Sequence, residues 1–211
     1  MTINLLKNVK KYGMYALLLG GVLLASCSDD DEAPEPENEV EVFTDVTLIF
    51  TNTADASDVV KARAKDPDGE GVQELQILDD ITLSAGTTYT LHYEILNALD
   101  ADDPEDIGAE IKAEDDEHQF FFSFSNNAFT DPEGDGNIDG NTTGAEAINY
   151  IDTDDNGDPV GLFTSWTTSS SPLTDGSFRV RLQHQPNVKT SSSGVNDGDT
   201  DFDLTFDLDI E

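Results

Sequence analysis

The chain has 211 residues and carries 45 acidic side chains against 10 lysines and arginines, a formal charge of −35 at neutral pH. Such a field repels phosphate backbones, which excludes nucleic acid as a partner, and it attracts cations. The single cysteine, Cys27, excludes an internal disulfide framework.

The first predicted element is a leader over residues 1–26. Lys7, Lys10 and Lys11 make a positive start, Tyr12 to Leu24 is an uncharged run, and Ala25 and Ser26 close it with small residues. The run falls short of the roughly 20 apolar residues that cross a bilayer, so it reads as a processed segment. Leu24-Ala25-Ser26-Cys27 resembles the lipobox of bacterial lipoprotein precursors. That resemblance implies cleavage before Cys27 and lipidation of its sulfur, with each buried methylene contributing about 0.8 kcal/mol to a membrane anchor. Ser28-Asp29-Asp30-Asp31-Glu32 resembles the acidic tract that directs Bacteroidetes lipoproteins to the outer face of the outer membrane. As a mere solvated spacer it leaves the protein on the periplasmic leaflet. Residues 27–40 thus form the lipidated cysteine and an acidic Pro/Glu tether, stiffened by proline and extended by self-repulsion. Loss of the leader removes three lysines and no acid, so the mature chain has 7 basic and 45 acidic residues, a formal charge of −38.

Residues 41–211 have the size of one domain. Apolar residues alternate at Val42, Val46, Leu48 and Phe50, then at Leu83 and, past a turn at Ala85-Gly86, at Tyr89, Leu91, Tyr93 and Ile95. Asp103-Pro104 reads as a helix N-cap with proline in the first turn; Ile107 and Ile111 follow four apart, and the helix runs to about Glu117. A strand follows over Phe120 to Phe124, another over Phe178, Val180 and Leu182, and a last one over Phe202, Leu204, Phe206, Leu208 and Ile210. Period-two alternation gives each strand one buried and one wet face, as in antiparallel sheets. Seven to nine strands and one short helix predict a mainly β protein, an antiparallel immunoglobulin-like β-sandwich, with a β-barrel as the alternative.

Two loops space oxygens as cation ligands. Asp152, Asp154 and Asn156, with Asp158 behind them, follow the D-x-D-x-N-G pattern of a calcium loop, although Phe163 stands where the bidentate glutamate belongs. Asn156-Gly157 is equally a hairpin turn. Asp131, Glu133, Asp135, Asn137 and Asp139 also alternate, between glycines. Calcium is the cofactor either loop would hold. Asp66-Pro67-Asp68-Gly69 reads as a simple turn.

His92 falls on the polar face of its strand, whereas His184 continues the apolar face of Phe178, Val180 and Leu182. His118 ends the acidic helix, where the dipole favours a cationic imidazole. The helix feeds one strand and His184 ends another, so the two histidines are expected to meet. With Glu114 and Glu117 they would make a nitrogen and oxygen set suited to zinc. Each histidine also has an ordinary structural reading. There is no G-x-S-x-G motif and no histidine beside an obvious nucleophile, so the expectation is a protein that is not an enzyme.

Glu117-His118-Gln119-Phe120-Phe121-Phe122, Asn156-Gly157-Asp158-Pro159-Val160-Gly161-Leu162, Leu182-Gln183-His184-Gln185-Pro186-Asn187 and Gly198-Asp199-Thr200-Asp201 resemble small lipoproteins of Flavobacteria and other Bacteroidetes. Those proteins are often grouped as a type 1 periplasmic binding fold superfamily. That architecture is a two-lobed α/β one, and the βα alternation it requires is missing here. The resemblance implies a surface-exposed outer-membrane lipoprotein, a non-enzymatic binding or accessory module partnered with a TonB-dependent transporter. Zinc capture, or an envelope protein with calcium-rigidified loops, are the alternatives.

Overall fold

Residues 41–66, 68–69, 74–140 and 144–211 are described in the computed structural model. The leader, Cys27, the acidic tract and the tether lie outside them. In chain order the strands are β1 (Asp45–Asn52), β2 (Val59–Lys65), β3 (Gln76–Ile77), β4 (Ile81–Leu83), β5 (Thr88–Asn97) and β6 (Glu105–Asp106). After the helix α1 (Ile107–Ala113) come β7 (His118–Phe124), β8 (Phe129–Asp131), β9 (Asn149–Tyr150), β10 (Thr164–Thr168), β11 (Leu173–His184) and β12 (Asp199–Ile210).

Two sheets pack face to face as a β-sandwich. One of them curls into a half-barrel, and the larger has the order β3-β2-β1-β5-β10-β8, with β6 added at β5 and β9 at β10. The smaller has the order β4-β12-β11-β7. Its pairs are antiparallel except β12 with β4. Five of the strands span only two or three residues, too few to show alternation. That is why the described residues hold twelve strands where the sequence predicts seven to nine.

The predicted faces are the buried ones except at Val42, which lies before β1 and lines a cleft, and at Tyr93, which is only partly buried. Val46, Leu48 and Phe50 of β1, Tyr89, Leu91 and Ile95 of β5, and Phe202 through Ile210 at every second position of β12 all enter the core. At its centre Trp166 meets Phe178 edge-on at 4.9 Å and Phe122 at 5.1 Å, while Phe50 meets Phe178 at 5.6 Å. Such edge-to-face pairs each contribute about 0.5–1.5 kcal/mol beyond the area they bury.

The helix departs from its predicted bounds. Glu105 and Asp106 pair with β5, and Asn97 Nδ2 donates to the Glu105 carboxylate, so Asp103-Pro104 stays outside. Asp106 is the N-cap, its carboxylate accepting from the Ala109 amide at 3.1 Å. The helix ends at a C-cap on Glu114, and a further turn closes through Glu117 N–H to the Glu114 carbonyl. Ile107 and Ile111 are buried. That tight exit sets where β7 begins.

Candidate functional site

His118 opens β7 and His184 closes β11, and the strand register pairs them directly. Directly opposed residues of an antiparallel pair share a face, and here it is the core face of Phe120 and Leu182. The two imidazoles stack, with centroids 4.6 Å apart and planes 5° from parallel. Gly198 makes this end of the sheet possible. Its φ is +82°, and a Cβ there would stand 2.0 Å from the His184 carbonyl oxygen.

His118 is fully buried. Its Nδ1 lies 3.1 Å from the Glu114 carbonyl, which can only accept, so Nδ1 carries the proton of that bond. Among the described residues the other ring nitrogen, Nε2, makes no hydrogen bond. It faces Glu41 Oε2 at 3.6 Å, and that oxygen is likewise buried without a hydrogen bond. Asp201 Oδ2, on β12, is a third such atom.

The charges respond to one another. Burial pushes the Asp201 carboxyl up to about 7; Glu41 and Asp199 add to the rise, and His118 opposes it. Burial by itself would lower the His118 pKa, but the Glu41 carboxylate, the Glu114 carbonyl and Asp201 outweigh it and hold the ring above its ordinary value. A cleft of about 260 Å³ adjoins, sharing Glu41 and Asp201 and lined also by Asp66, Glu74, Asp203 and Phe43. Among the described residues no lysine or arginine lines it. Of its acids Asp203 is already served, by Arg179 at 2.7 Å and Arg181 at 2.5 Å.

The four predicted ligands therefore gather at one end of the sandwich, but as two sets. Glu117 Oε2 stands 3.4 Å from His184 Nε2. Ligand atoms of Glu41, Glu114 and His118 lie within 4.8 Å of one another. Sequence reasoning missed Glu41 and the role of Asp201. Glu41 lies in the irregular segment before β1, which begins only at Asp45, so the alternation read from Val42 onward does not aim it. Asp201 has the parity of the polar face of β12 and reads there as one more solvated acid.

The aspartate loops are built differently. In the hairpin after β9, Asp152 Oδ1 accepts from the amides of Gly161 and Phe163 at 3.0 and 3.2 Å. Asp154 Oδ1 accepts from Asn156 and Asp158, both at 2.9 Å. Asp154 Oδ2 lies 3.0 Å from Lys189 Nζ, and both side chains are 1% exposed. Lys189 also donates to the Asp115 carbonyl. Asp154 thus has a buried ammonium of the chain's own beside it. In the other loop Asn137 is buried, donating to the Gly144 carbonyl and to Tyr150 and accepting from the Phe122 amide. Asp131 accepts from Asn149, and Asp139 from Ser123. Glu133 and Asp135 do not join them: among the described residues, neither loop brings three acidic or histidine ligands within 4.8 Å of one another. Comparison with protein-family models, curated proteins and solved structures gives no match.

Proposed function

We propose that the chain is a non-enzymatic binding module, anchored through Cys27 to the outer membrane and displayed at the cell surface, that captures a cationic ligand at the His118 end of its sandwich. The observation that carries this reading is the approach to 3.6 Å of two buried polar atoms without hydrogen bonds, Glu41 Oε2 and His118 Nε2, with a third, Asp201 Oδ2, on the same acidic cleft as Glu41, whose lining among the described residues holds no basic residue. Each such atom left unpaired costs about 1–3 kcal/mol, which a bound cation with suitable contacts recovers. The formal charge of −38 on the mature chain raises the local concentration of such a ligand. Surface display suits a protein that passes its ligand to an outer-membrane transporter.

The test is calorimetric titration of the full lipidated chain, held in detergent, with zinc, calcium and spermidine separately. Saturable binding of one of them at one per chain, lost on removing the Asp201 and Glu41 carboxylates, is the expected result. Absence of saturable binding for all three contradicts the reading.

A further inference from the structure

Resting on that reading, we infer that Glu41, Glu114 and His118 form a site for a divalent transition metal, zinc being the best fit, and that His184 is a wall of the site and not a ligand. The first support is the state of the His118 ring. With Nδ1–H held by the Glu114 carbonyl, the lone pair of the neutral ring sits on Nε2, which is buried, faces the Glu41 carboxylate at 3.6 Å and has no hydrogen bond among the described residues. A ligating histidine almost always donates its other N–H to a carbonyl or carboxylate in this way, which fixes the tautomer and the ring orientation.

Spacing is the second support. A charge-assisted hydrogen bond between imidazolium and carboxylate would draw the two atoms to about 2.7–2.9 Å. Zinc bonds of about 2.0–2.2 Å in tetrahedral array set neighbouring donors about 3.4 Å apart. The observed 3.6 Å between Nε2 and Glu41 Oε2 matches donors around an ion better than donors around a proton. One nitrogen and two carboxylates also suit zinc and its neighbours, whereas calcium takes six to eight oxygens.

Geometry then removes His184 from the ligand set. An imidazole binds a metal in its own ring plane, and two planes 5° from parallel with stacked rings have no common point where an ion could sit. His184 instead holds the flat face of His118 while its own Nε2 meets Glu117. Three protein ligands, one of them the exposed Glu114, leave a fourth position open to solvent. That is the pattern of a site that exchanges ligands and not of a closed structural one.

Competition against a fluorescent zinc chelator, on the full lipidated chain in detergent, decides the matter. One zinc per chain is expected, and Glu41→Gln and His118→Ala should each weaken it at least about 100-fold, the upper end of what loss of a supporting group alone costs. His184→Ala should stay within about tenfold, the most that a lost ring stack contributes. If His118→Ala fails to fold, Glu41→Gln and the visible band of cobalt bound to the unsubstituted chain carry the test, the band reporting a four-coordinate ion. Wild-type affinity in Glu41→Gln, a six-coordinate cobalt spectrum, or a loss in His184→Ala equal to that in Glu41→Gln overturns the inference. Spermidine binding without zinc binding also overturns it and leaves the cationic-ligand reading standing. Calcium binding without zinc binding has the same two consequences, and binding of none of the three removes both.

Discussion

Two acidic clusters in this protein look alike in sequence and differ in what completes them. In the Asp152–Asp158 hairpin, Asp154 has two backbone amides on one oxygen and the buried ammonium of Lys189 by the other. Both clusters hold buried side-chain atoms without hydrogen bonds, Asp152 Oδ2 and Asp154 Oδ2 in the hairpin and Glu41 Oε2, His118 Nε2 and Asp201 Oδ2 at the other end, but among the described residues no lysine or arginine is paired with Glu41, Glu114 or Asp201. A carboxylate cluster that carries its own cation is part of the scaffold. One that lacks a cation is the place to look for a ligand.

The sharpest way to break the comparison is to remove the built-in cation. Lys189→Ala leaves Asp154 buried and unpaired, and urea denaturation should show a loss of about 3–5 kcal/mol, as for other broken buried pairs. The double substitution Lys189→Met, Asp154→Asn should recover much of it. A loss below about 1 kcal/mol in the single variant would mean that the hairpin does not depend on its lysine.

Substitution at the other cluster should act in the opposite direction. The Asp201 carboxyl is raised to about 7, so the folded state holds a proton that the unfolded state releases near pH 4. Its contribution is therefore present below about pH 4 and is lost as pH rises through about 7. With metal chelated, Asp201→Asn should flatten the fall in stability between pH 4 and 7, seen as a smaller drop in Tm across that range. An unchanged pH profile would place Asp201 in ordinary contact with water.

The smallest effect belongs to Asp203, which lines the same cleft but has its own cations. Burial alone would raise its pKa, yet hydrogen bonds from Arg179 and Arg181 hold it below the ordinary carboxyl range. Its contribution is present at neutral pH and lost as pH falls through that lowered pKa. Partly exposed ion pairs contribute about 0–1 kcal/mol, so Asp203→Asn should cost no more than that and leave cation binding unchanged. A tenfold weaker zinc affinity in this variant would show that the cleft, and not the His118 end, holds the ion.

What could be read in advance follows from how local each signal is. The faces of β1, β5 and β12 were legible because alternation at period two depends only on neighbours along the chain. The approach of His118 to His184 was legible for the same reason, since each sits at the end of a strand on its apolar face. Glu41 was not, because an irregular segment is placed by what it packs against and not by its own pattern. The helix start was misplaced because Asp103-Pro104 and Asp106 both offer an N-cap, and pairing of Glu105–Asp106 with β5 decided for the second. The D-x-D-x-N-G spacing is shared by cation loops and by hairpins whose aspartates accept backbone amides. The partner of Asp154, Lys189, comes 35 residues later in sequence, where no local spacing points to it.

The most direct measurement is the ¹⁵N spectrum of the three histidine rings during zinc titration of the unsubstituted chain. His118 Nε2 alone should take the shift of a metal-bound nitrogen at one equivalent, with Nδ1 still protonated and the ring nitrogens of His92 and His184 unchanged. A metal-bound shift at His184, or none at His118 after one equivalent, contradicts it.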